Sequence, residues 1–153
     1  MWIQKKIQED LENIEPQCLG KLRRVDALPL EKAVRIAAYL WEGCFQSSND
    51  VWVVLCGGLL YMLPAEWLEA HIGEILDCLE VDWSDEFEFC NLCAAFYHLP
   101  DILRQILAYA EKRIPEANAG GWISDMRERM GSQEHFRQMM KYFEEMDKSE
   151  LTL

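Results

Sequence analysis

The dipeptide Leu-Pro occurs three times in this chain, at Leu28-Pro29, Leu63-Pro64 and Leu99-Pro100, with spacings of 35 and 36 residues. Proline removes a backbone donor and pushes the residue before it out of the α region, so a helix tends to end there. It also suits the first turn of the next helix, where its missing N–H would have had no partner. Each Leu-Pro therefore predicts a tight corner between two antiparallel helices. The similarity extends upstream. Gly57-Gly58-Leu59-Leu60-Tyr61-Met62-Leu63-Pro64 lies over Cys93-Ala94-Ala95-Phe96-Tyr97-His98-Leu99-Pro100, Tyr over Tyr.

The segments after the corners carry the helical period. In 66–80, Leu68, Ile72, Ile75, Leu76 and Leu79 fall in one arc, and Glu66, Glu69, Glu74, Asp77 and Glu80 fall opposite. Segment 101–114 repeats this through Ile102, Leu103, Ile106, Leu107 and Ala110, and 30–41 through Val34, Ala37, Ala38 and Trp41. The segments before the corners, 50–62 and 85–98, are more uniformly apolar, as an inner layer would be. Asn49-Asp50 and Ser84-Asp85-Glu86 supply cap oxygens and acids for their starts. Helices are also expected over 1–15, stopping at Pro16, and over 17–27. Asn118-Ala119-Gly120-Gly121 is the expected linker to two last helices, 122–130 and 132–146. Only Val51-Trp52-Val53-Val54 offers a strand alternative.

The expectation is one all-α domain over 1–153. Its repeat core is 17–114 and its C-terminal helices lie in 118–147. Helix pairs at this spacing resemble a short HEAT or armadillo-type array. The resemblance implies antiparallel pairs stacked as an α-solenoid; the alternative is an irregular helical bundle. The pattern of tetratricopeptide repeats is not matched residue by residue.

The N-terminus lacks the basic-then-apolar layout of a signal peptide. The longest apolar run, 51–63, has 13 residues, short of the ~20 a membrane-spanning helix needs. A cytoplasmic protein is expected, with Cys18, Cys44, Cys56, Cys78, Cys90 and Cys93 as reduced structural thiols.

Charge is distributed very unevenly. Between Arg35 and Arg104 lie 68 residues with no Lys or Arg and with twelve acids. The flanks hold the other 15 acids and all 15 basic residues, so the net charge of −12 belongs to the middle of the chain. Nine of those twelve acids fall between Glu66 and Glu88. Mixed signs would solvate a helix face as well and repel less, whereas a one-sign field steers a basic partner. The same sign disfavours nucleic acid and anionic lipid. The run Val81-Asp82-Trp83-Ser84-Asp85-Glu86-Phe87-Glu88-Phe89 interleaves acids with aromatic rings, as anchored interfaces do.

Catalytic and metal motifs are sparse. Cys90 and Cys93 form one pair at helical spacing, while structural zinc needs about four ligands. His71, Glu74 and Asp77 share one helix face, which rarely supplies a full metal shell. Gly57-Gly58 inside a helix costs about 1–2 kcal/mol, which a close helix–helix approach would compensate. Met126, Met130, Met139, Met140 and Met146 are expected to pack the last helices. No cofactor, metal or enzymatic activity is expected.

Small acidic helical chains of this kind resemble, by type, bacterial immunity proteins that neutralise basic toxin domains, often nucleases. That resemblance implies a non-catalytic protein bound to a basic partner. The binding residues expected are Glu66, Trp67, Glu69, Asp77, Glu80, Asp82, Trp83, Asp85, Glu86 and Glu88. The alternative is a HEAT-like adaptor that scaffolds an assembly.

Overall fold

A computed structural model describes residues 2–153. They form helices α1 (Trp2–Ile14), α2 (Leu30–Phe45), α3 (Asp50–Leu60), α4 (Ala65–Cys78), α5 (Glu86–Ala94), α6 (Pro100–Glu111), α7 (Glu116–Glu128) and α8 (Glu134–Glu145), with a 3-10 segment, Cys18–Ala27, between α1 and α2. No strand occurs among the described residues, and residues 51–54 are the first turn of α3.

All three Leu-Pro corners start a helix. Pro29 and Pro64 stand in the extended region, with φ of −52° and −60°, immediately before α2 and α4. Pro100 is the first residue of α6. The Pro64 corner is more oblique than expected. At Pro64 the chain turns by 116° between α3 and α4, rather than reversing as an antiparallel pair would.

The helices that follow the corners lie side by side, α2 against α4 and α4 against α6. The other row does not continue in the same way: α3 is covered by α8, and α5 packs on α2 and α7. The stack is thus confined to α2, α4 and α6. Helix α2 is the hub, contacting α1, the 3-10 segment, α3, α4 and α5. At the centre Trp41 meets Phe96 edge to face, with ring centroids 4.9 Å apart, and its Nε1 donates to the Leu92 carbonyl at 3.1 Å. A Trp can be this deeply buried because its one donor is satisfied.

The two chain ends meet. Gln4 Nε2 donates to the Asp147 carbonyl at 3.3 Å, and Gln8 Nε2 donates to Thr152 Oγ1 at 3.2 Å. Lys148 holds the end of α8 by donating to the carbonyls of Phe143, Glu144 and Met146.

Gly57 and Gly58 are where α8 seats on α3. A Cβ on Gly58 would stand 2.0 Å from Phe143 Cδ2, and one on Gly57 would stand 2.9 Å from Met139 Sδ. The diglycine therefore allows the close approach expected for it. Met126 and Met139 are buried, and Met130, Met140 and Met146 pack against the core.

Asn118-Ala119-Gly120-Gly121 is not a linker. It lies inside α7, which begins after Pro115 rather than at Trp122. The cost of two helical glycines is offset by the face below them, where Trp122, Ile123 and Met126 pack on the core. No single helix is long and apolar enough to cross a membrane.

A candidate acidic interface

Helix α4 buries Leu68, Ile72, Ile75 and Leu76 and leaves Glu66, Glu69, Glu74 and Asp77 in solvent, as its period requires. Two of these acids carry structural duties. Asp77 Oδ1 accepts from the Tyr109 hydroxyl at 2.7 Å, tying α4 to α6. Glu74 Oε2 pairs with His71 Nδ1 at 2.9 Å. The side chains of Glu66 and Glu69 have no such partner among the described residues.

The chain then leaves α4 through an acidic loop. Asp82 Oδ1 accepts from the Ser84 backbone N–H at 3.0 Å and from its hydroxyl at 2.6 Å. Those two bonds hold the Asp82 carboxyl below the usual carboxylate range. Glu88 Oε1 accepts from the Asp82 backbone N–H at 3.3 Å. The cap of α5 is Asp85 rather than Ser84: its carboxylate accepts from the backbone N–H groups of Phe87 and Glu88. Asp bonds two orphan donors and also meets the positive end of the helix dipole. Glu86, next along, is exposed and points to no partner among the described residues. On the other side of the loop, Gln46 Nε2 donates to the Glu80 carbonyl. Burial and the nearby Glu80 carboxylate together raise the Glu42 carboxyl above its ordinary value.

None of the nine acids from Glu66 to Glu88 has a Lys or Arg within ion-pair distance among the described residues. Acids of the flanks do: Asp10 pairs with Lys6 at 2.6 Å, Glu15 with Lys21 and Lys32 at 2.6 and 2.8 Å, and Asp26 with Arg24 at 3.2 Å; at the edge of the basic-free window Asp101 pairs with Arg104 at 2.6 Å. No Lys or Arg therefore neutralises these nine acids by direct contact, although Arg113 lies over the ring of Tyr109, whose hydroxyl bonds Asp77.

The two expected aromatic anchors are half-buried and make ring contacts within the fold. Trp83 is half-buried between Phe89 and Tyr109, with centroids 6.3 and 6.0 Å away, and Arg113 lies 3.4 Å over the Tyr109 ring. Trp67 is half-buried beside His71, 5.2 Å between centroids. The exposed ring is Phe87. It is 80% accessible in the first turn of α5, flanked by Asp85, Glu86 and Glu88. It lines a shallow depression of about 490 Å³ with Phe45, Gln46, Ser47, Ser48, Asp85, Glu88 and Asn91. No Lys or Arg lines it. Sequence reasoning took Phe87 as part of an alternating run. The period of α5 separates it from Phe89, which is fully buried two residues on.

No cluster of three or more His, Cys, Asp or Glu that could hold a metal occurs among the described residues. The six cysteines are free thiols. Burial pushes Cys44 up to about 12 and raises Cys93 well above its ordinary value, so both are protonated at neutral pH. No family model matches this chain, and no curated protein or solved structure matches it either.

Proposed function

We propose that this chain is a non-catalytic, cytoplasmic binding protein that neutralises a basic protein partner, in the manner of an immunity protein bound to a bacterial nuclease toxin. The observation that carries this reading is the unpaired acidic surface. Nine acids on α4, the loop after it and the first turn of α5 have no Lys or Arg in ion-pair distance among the described residues, and three of them, Asp85, Glu86 and Glu88, flank a Phe ring 80% exposed. A field of one sign steers an oppositely charged protein at close to diffusion-limited rates. An exposed aromatic among polar groups is the form an interface anchor takes. The carboxylates would occupy positions on the partner that nucleic-acid phosphates otherwise fill, so binding would block its substrate groove.

The test begins with a photo-crosslinking residue in place of Phe87, used in the native cell to capture the partner. The captured protein is then purified and its activity titrated with this chain. A basic partner whose activity falls to background at one equivalent supports the reading. A partner that stays active when saturated, or whose affinity is the same at low and high salt, overturns it.

A further inference from the structure

A second surface stands apart from the acidic one, between α3 and α8. It is a depression of about 650 Å³ lined by Asp50, Val51, Val53, Val54, His135, Gln138, Met139, Tyr142, Glu145 and Met146. On α8 the residues recur at i, i+3, i+4, i+7 and i+10, which is one face of the helix, and Met146 follows as its extended cap. On α3 the floor is the first turn. Val51, Val53 and Val54 are only half-buried, whereas every residue from Leu55 to Leu60 is buried. Tyr142 stands 49% exposed at the rim. The cleft exists because α8 is drawn tightly onto Gly57 and Gly58 further along α3, leaving the first turn uncovered.

The electrostatics select the occupant. Asp50 and Glu145 are the charged residues of the lining, and no Lys or Arg lines it. Burial lowers the His135 imidazole and so disfavours its charged form. A second copy of this chain would bring the same two carboxylates, and a further net charge of −12, against the first. We infer that the cleft between α3 and α8 docks a short amphipathic helix of another protein, apolar on one face and flanked by Lys or Arg. Helix-in-groove recognition uses anchors at i, i+3, i+4 and i+7, and the thioether of Met139 adapts to their shape. Helix α8 has 12 residues, hence is about 18 Å long, which suits about three turns of the partner. The inference does not depend on the acidic surface having a partner.

The probe is a peptide of about 14 residues built from Leu and Lys, with Leu confined to one helical face; its control has the same composition in scrambled order. Binding is read by fluorescence anisotropy and placed by amide chemical shifts. The patterned peptide should bind at least ten-fold tighter than the scrambled one and shift amides of α3 and α8. Tyr142→Asp and Val51→Asp should each weaken it about ten-fold, although each adds negative charge. Equal binding of the two peptides, or unchanged or tighter binding by the Asp variants, would reduce the effect to bulk attraction and overturn the proposal. A dimer of the unliganded protein that Tyr142→Asp dissociates would assign the cleft to a second copy and overturn it too. Val51 is half-buried, so its variant is read only if its urea midpoint is retained; the exposed Tyr142 decides otherwise.

Discussion

Replacing Gly58 by Ala tests the seat of α8 on α3. The new Cβ would lie 2.0 Å from Phe143 Cδ2, 2.2 Å from Cγ and 2.5 Å from Cε2. A comfortable carbon–carbon contact is about 3.5–4.0 Å, so the ring must retreat by about 1.5 Å. Phe143 cannot swing freely into solvent without cost. It is 7% exposed, with the Lys148 ammonium 4.7 Å from its ring centroid. Overpacking of this kind costs about 1–3 kcal/mol, while Ala returns up to about 1 kcal/mol of helix propensity. The net expectation is a loss of about 1–2 kcal/mol, read as a lower urea midpoint. In a Phe143→Ala background the obstacle is gone, and the same Gly58→Ala change should be neutral or stabilising by up to about 1 kcal/mol. The sign reversal separates a close helix approach from a glycine tolerated for no packing reason. Stabilisation by Gly58→Ala in the wild-type background, or equal destabilisation in both, would refute the reasoning.

Gly120→Ala and Gly121→Ala should do the opposite, each raising stability by up to about 1 kcal/mol in urea melts, because nothing lies within 4 Å of a Cβ there and both sit inside α7. His98 gives a pH dependence. Burial, reinforced by His135, holds its imidazole at about 4 against 6.5, so the unfolded chain takes up a proton between those values that the folded chain refuses. Stability should therefore fall as pH drops through that window, by about 2 kcal/mol between pH 7 and pH 5, and His98→Leu should flatten the profile. Trp83→Ala should lower the urea midpoint by about 1–3 kcal/mol as a packing group, whereas Phe87→Ala should leave it unchanged.

Much of the helical framework was legible because it rests on local rules. The Leu-Pro corners, the apolar arc of α4 and the Asn49 cap of α3, which accepts from the Trp52 N–H at 3.1 Å, follow from backbone sterics and period. The errors arise where tertiary packing overrules those rules. Gly120 and Gly121 read as a break because their helical cost is local, while the burial of Ile123 and Met126 that offsets it is not. The stacking of rows was illegible for a similar reason. Nothing local in α8 says that its Met139 and Phe143 will cover α3 in place of another repeat. At the candidate site the charge imbalance was visible in the sequence, since folding sets no Lys or Arg within ion-pair distance of the nine acids. Which ring faces water was not, because Trp83 and Phe87 differ only in whether Tyr109 and Phe89 happen to stand beside them.

The structure also separates acids that can be altered without harm from those that hold the fold. Asp77, Asp82, Asp85 and Glu88 bond neighbours, whereas Glu66, Glu69, Glu80 and Glu86 present side chains to solvent. The most direct test of the acidic interface uses Glu66→Gln, Glu69→Gln, Glu80→Gln and Glu86→Gln together, with the captured partner, at two salt concentrations. An interface that steers a basic protein predicts an unchanged urea midpoint, association slowed by at least about ten-fold at low salt, and a flatter salt dependence. Association that keeps both its rate and its salt dependence in the neutralised protein would contradict the account.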